Sequence, residues 1–124
     1  MFARRILLVV AAISAGSLAA LANVIPERLL ELARKEAPGE VQLHVIKTTG
    51  RMTDFAAKVR SVEQVPGWSQ IRAKGEAAFS AWDNHKRDFV WRSEAFEVLW
   101  DVTDRGELKL NEVSLGGVSR KADN

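Results

Sequence analysis

The chain has 124 residues, with no cysteine, no tyrosine, three prolines and two histidines. Without cysteine there are no disulfides, no thiolate metal ligands, no cysteine nucleophile and no covalent c-type haem attachment. A lipid-modified cysteine behind a leader is excluded for the same reason. A cysteine-free domain outside the cytoplasm holds itself together by packing alone. A surplus of charge is also missing where it would count. The formal net charge is +2, and Arg4 and Arg5 supply all of it, because residues 23–124 hold 16 cations against 16 anions. Binding nucleic acid takes a surplus of cations to neutralise phosphates, and this stretch has none. No G-x-S-x-G, phosphate-binding glycine loop or H-E-x-x-H appears, so no cofactor and no catalytic residue is assigned from the sequence.

What the chain does have is an apolar start. "MFARR" is a short cationic stretch, followed by "ILLVVAAISAGSLAALA". Ala20-Leu21-Ala22 is an A-x-A cleavage site, with the cut expected before Asn23, as in a signal peptide. From Ile6 to Ile25, however, 20 residues run without a charge, enough to cross a bilayer as a transmembrane helix. The reading leans to a retained anchor, because the apolar stretch overruns the cleavage site. Either way the cations stay in the cytoplasm and residues 26–124 are expected outside it, in the periplasm or elsewhere in the cell envelope. The organisation expected is a signal peptide or anchor over 1–25, one small domain over 26–118 and a polar tail over 119–124.

The exported part predicts several short elements. Pro26 suits a first helical turn, Leu29, Leu32 and Ala33 form a stripe, and Pro38-Gly39 ends the helix. "EVQLHVIKTTG" alternates and predicts a strand over about 41–48, stopped by Gly50. In "TDFAAKVRSVEQ", Thr53 is a plausible N-cap and Phe55, Val59 and Val62 share a helical face. Trp68, Ile71, Gly75, Ala78, Phe79 and Trp82 recur at three- and four-residue steps and predict a longer helix. Gly75 in that stripe suggests the close approach of another backbone.

The β-rich part follows. With Asp104-Arg105-Gly106 as a three-residue loop and Gly106 left-handed, Val102 faces Leu108, Trp100 faces Leu110 and Asp101 faces Lys109. Phe89 and Trp91 sit in the opposite phase from Phe96, Val98 and Trp100, which calls for a bend near Ser93-Glu94. The fold class expected is α+β, with helices packed on a small antiparallel sheet. A long helix cradled by bent strands is similar in outline to cystatin-like and NTF2-like folds, a likeness that carries no function.

Few residues are candidates for chemistry. His44 stands in the expected strand. Asp83, His85 and Asp88 lie close together and are weak candidates for a polar or metal site, though Asp83 and His85 diverge on a helix and a capping role fits them better. "DVTDRGE" lacks the oxygen ligands of a calcium loop. Trp91, Trp68 and Phe96 are the candidate binding residues, with Trp91 first because it falls out of phase with the core.

These features favour a non-catalytic interaction protein of the cell envelope that binds a protein partner through its sheet or an aromatic patch. The first alternative is a small ligand-binding module or hydrolase with a pocket between helix and sheet. The second is an accessory subunit of a membrane complex, for which Ala12, Gly16 and Ala20 offer a small-xxx-small face.

Overall fold

The computed structural model describes residues 24–116 and the backbone of 118–121. Of the segment expected as a leader or anchor over 1–25, residues 1–23, with Ala20, Ala22 and Asn23, lie outside the described residues, while Ile25 is buried in the core of the domain. Among the described residues, no helix is long and apolar enough to cross a membrane. Helix α1 (Glu27–Thr49) is followed by strands β1 (Met52–Gln64), β2 (Gln70–Asp83), β3 (Asp88–Val102), β4 (Leu108–Leu115) and β5 (Val118–Lys121). The strands form one sheet in chain order, every neighbouring pair antiparallel. The fold is α+β, with the one helix of the described residues laid across one face of a β-meander.

The helix corrects two expectations. It runs through Pro38-Gly39 and absorbs the strand expected over 41–48. A proline inside a helix removes a hydrogen bond and costs about 3 kcal/mol. Burial on both sides of it compensates. Leu29, Ala33, Ala37, Val41 and Val45 repeat every four residues and are at most 1% exposed. Each large aliphatic in such a stripe contributes roughly 1.5–3 kcal/mol. The segment "VQLHVI" fits both periods, and the helical one places Val41, His44 and Val45 inward and leaves Leu43 and Ile46 exposed. Gly50 is the helix C-cap, at φ 79°, and its N–H donates to the Ile46 carbonyl at 2.8 Å.

The two helices expected over 53–64 and 68–82 are β1 and β2. In β1, Phe55, Ala57 and Val59 turn toward α1, and a bulge between Val59 and Ser61 then shifts the phase so that Val62 follows. That bulge turns a period of two into a step of three, which imitates the helical spacing of Phe55, Val59 and Val62. In β2 the inward positions are Ile71, Ala73, Gly75, Ala77, Phe79 and Ala81. Four of the six are alanine or glycine, so their apolar signal is weak beside the outward Trp82. The small residues suit a helix whose own stripe is alanine at its centre, letting the two backbones come close.

β3 needs no bend. It pairs with β2 without a break, from Asp83 opposite Asp88 to Gln70 opposite Asp101. Phe96, Val98 and Trp100 face the helix, while Phe89 and Trp91 point to the other side. The β3–β4 hairpin has the expected register, with Val102 opposite Leu108, Trp100 opposite Leu110 and Asp101 opposite Lys109. Gly106 is left-handed at φ 74°, and its N–H donates to the Thr103 carbonyl at 2.9 Å. This hairpin is interior to the sheet rather than at an edge, because β5 covers β4. Residues 119–121, expected as polar tail, belong to β5.

Candidate functional site

Among the described residues, the helix covers one face of the sheet and nothing covers the other. On this outer face each strand presents its alternate positions, and the two ends differ in chemistry. Near the β2–β3 hairpin the face is apolar. Trp82 meets Phe89 edge-on at 5.4 Å between ring centroids. Trp91 stands beside them, opposite Ser80, and is 61% exposed. Ala56, Ala78 and Ser93 form the next row and floor a shallow hollow of about 260 Å³ rimmed by Lys58 and Glu76. Further along, the face becomes charged, with Arg60 paired to Glu76 at 2.8 Å and Arg72 near Glu97 at 3.9 Å.

The aromatic end is held in place by its neighbours. The Arg51 guanidinium lies 4.7 Å from the Trp82 ring centroid, and the Trp82 indole N–H donates to Asn84 Oδ1 at 3.0 Å. A cation over the indole and a tethered N–H fix the ring in one orientation. A solvent-facing strand surface normally alternates to polar residues, so aromatics together with alanines here form a patch of the kind that marks an interaction site.

Asp83, His85 and Asp88 belong to the hairpin turn beside this patch. Asp83 Oδ1 accepts from the N–H groups of His85 at 2.8 Å and Lys86 at 3.1 Å. The backbone N–H of Lys86, then that of His85, holds the Asp83 carboxyl below the usual carboxylate range. Asp88 Oδ1 accepts from the Phe89 N–H at 2.7 Å. The helix C-terminal cap expected of these residues is overturned, because the segment is a β-hairpin turn: Asp83 caps that turn, Asp88 bonds its neighbour, and His85 contributes its backbone N–H to Asp83. His44 is buried on α1, in a different element from the other three. Among the described residues, no group of three or more His, Cys, Asp or Glu side chains is placed to hold a metal ion.

Asp83 gives a prediction with a definite sign. Its folded-state pKa is depressed, so its contribution to stability is present above the ordinary carboxylate value and is lost as pH falls below it. Asp83→Asn is expected to flatten the fall in urea midpoint on acidification below about pH 4, where aspartate titrates in the unfolded chain. Parallel acid slopes for the two proteins would show that the turn bonds carry no linkage.

The three binding candidates part company. Trp91 lies in the outer patch. Trp68 is 64% exposed, in the β1–β2 turn at the opposite end of β2. Phe96 is a core residue at 3% exposure and offers no surface to a partner. Trp82, Phe89 and Arg51 complete the patch and were not singled out from the sequence. The missed signal was strand parity, which puts Trp82 and Phe89 on one face once β2 and β3 are paired. The helix–sheet contact, where a pocket was the alternative expectation, is filled by Leu29, Ala33, Ala37 and Val41 against Ile71, Ala73 and Phe79, none of them more than 1% exposed. Comparison with known proteins finds no matching family model, no matching curated protein and no matching solved structure.

Proposed function

We propose that this chain is a non-catalytic interaction protein of the cell envelope, anchored by its N-terminal apolar segment, that binds a protein partner through the outer face of its sheet. The observation that carries the reading is the patch of Trp82, Phe89 and Trp91 on the face the helix leaves open. Large exposed aromatics on a rigid sheet supply contact area at low entropic cost, and such residues dominate interface energetics. The adjoining alanine floor gives a second surface room to approach.

The face fits this role better than an edge does. Strand β1, one edge, is interrupted by two bulges and carries Lys58 and Arg60. Bulges and cations on an edge discourage the addition of a further strand.

The test is a photo-crosslinking residue placed at Trp91 in the full chain, in its own membranes, with the same residue at exposed Leu43 on α1 as control. A discrete adduct from position 91 and none from 43 is expected, and it should disappear when Phe89 is also changed to alanine. Trp91→Ala alone is expected to move stability by no more than about 0.5 kcal/mol, as for other surface positions. Equal labelling from both positions, or an adduct indifferent to Phe89, refutes the assignment.

A further inference from the structure

We propose that the β1–β2 turn is a foot on the lipid bilayer, with the Trp68 indole seated at headgroup level beside the point where the apolar segment leaves the membrane. The inference rests on the anchored reading and deepens it, since it fixes which end of the domain faces the lipid.

The apolar segment joins the domain at a defined place. Residues 6–25 are uncharged, Val24 is 63% exposed and Ile25 is buried in the core. One side chain ties this junction to the turn. The Ile25 N–H donates to Gln64 Oε1 at 3.0 Å, and Gln64 Nε2 donates to the Trp68 carbonyl at 3.2 Å. The turn is firm: the Trp68 N–H donates to the Val65 carbonyl at 3.1 Å, and Gly67 takes the left-handed conformation at φ 79°. Trp68 is therefore displayed outward by a structured turn at the very end where the uncharged residues 6–24, still long enough to span a bilayer, enter the domain. Indoles concentrate at membrane–water interfaces because the ring is apolar and its N–H still finds a polar partner there.

Charge does not offer a competing account of this end. The Val102 N–H donates to the Ser69 carbonyl at 2.9 Å, which brings the β3–β4 loop beside the turn, and Arg28 on α1 lies against Gly106 of that loop. Charged residues at this end include Arg28 and Arg105 against Glu27, Glu63, Asp104 and Glu107. With both signs present the foot reads the interface itself rather than anionic headgroups. The aromatic patch for the protein partner lies at the other end of β2, 14 residues long, and so roughly 40 Å away along the strand. The foot would hold that patch clear of the lipid.

The full chain is reconstituted in phosphatidylcholine vesicles, with and without bromine on the acyl chains near the headgroup, and tryptophan emission is read. Brominated lipid should quench part of the emission, Trp68→Phe should remove most of that loss, and Trp91→Phe should leave it intact. Adding phosphatidylglycerol should not change the result. If quenching persists in Trp68→Phe, the foot is wrong while the anchor stands. If the chain does not float with the vesicles, the anchor fails first and the foot with it. If the chain floats but no quenching occurs, the apolar segment inserts and Trp68 stays in water, which also overturns the proposal.

Discussion

Gly75→Ala is expected to lower the stability of the domain by about 3 kcal/mol or more, at the upper end of what overpacking costs. Gly75 faces the helix from the middle of β2, between Val59 on β1 and Phe96 on β3. A Cβ built there runs into the Lys58 carbonyl oxygen and lies 2.7 Å from Phe96 Cζ and 2.9 Å from Cε2. A ring can tilt, whereas a backbone carbonyl inside a paired sheet cannot withdraw without breaking the ladder. The double variant Gly75→Ala with Phe96→Leu is therefore expected to recover little. Urea midpoints for the single and double variants decide the point. Full recovery in the double variant would show that the ring, not the carbonyl, is the obstacle.

Trp100→Ala is expected to cost about 3–5 kcal/mol, the range for deleting a large buried aromatic. Trp100 is the largest fully buried side chain, 1% exposed, with Ile71 and Leu110 opposite it on the neighbouring strands. Small domains have about 5–15 kcal/mol in total, so this change takes a large share. For a domain near this size, each kcal/mol corresponds to about 4–8 °C in Tm, which predicts a fall well above 10 °C. A thermal melt showing a shift of only a few degrees would mean that the neighbours close over the gap, and that the core is more plastic than its burial suggests.

Both residues show what could be read from the sequence and what could not. The β3–β4 hairpin was legible because its turn chemistry, apolar pairs and one charge pair all agree on a register, and the structure has that register. The α+β class was legible because an apolar stripe with helical spacing at Leu29 and Ala33 precedes that hairpin. The helix content was not. Gly75 and the alanines at positions 73 and 77 mute the inward face of β2, so the outward Trp82 and Ala78 dominated the pattern and imitated a helix. In β1 the bulge at Arg60 did the same by shifting phase. Pro38 reads as an end in isolation, yet the four-residue spacing from Leu29 to Val45 carries the helix past it. Local propensity lost to burial in each case.

The candidate site was half legible. The phase of Trp91 marked it as facing away from the core, and it does. Its companions were hidden, because Trp82 becomes a neighbour of Phe89 only when β2 is known to be a strand paired with β3.

The chain order of the sheet has a kinetic consequence. Each strand lies beside the one that precedes it in sequence, so every ladder closes through a turn of a few residues. Bringing such segments together loses little loop entropy, and hairpins of this kind assemble on the microsecond scale. The longest closure left to the molecule is the seating of the segment just ahead of α1, where Ile25 must find Gln64, 39 positions away. A polypeptide emerging from its N-terminal end holds that helix ready first and gains a surface for it only as the hairpins form.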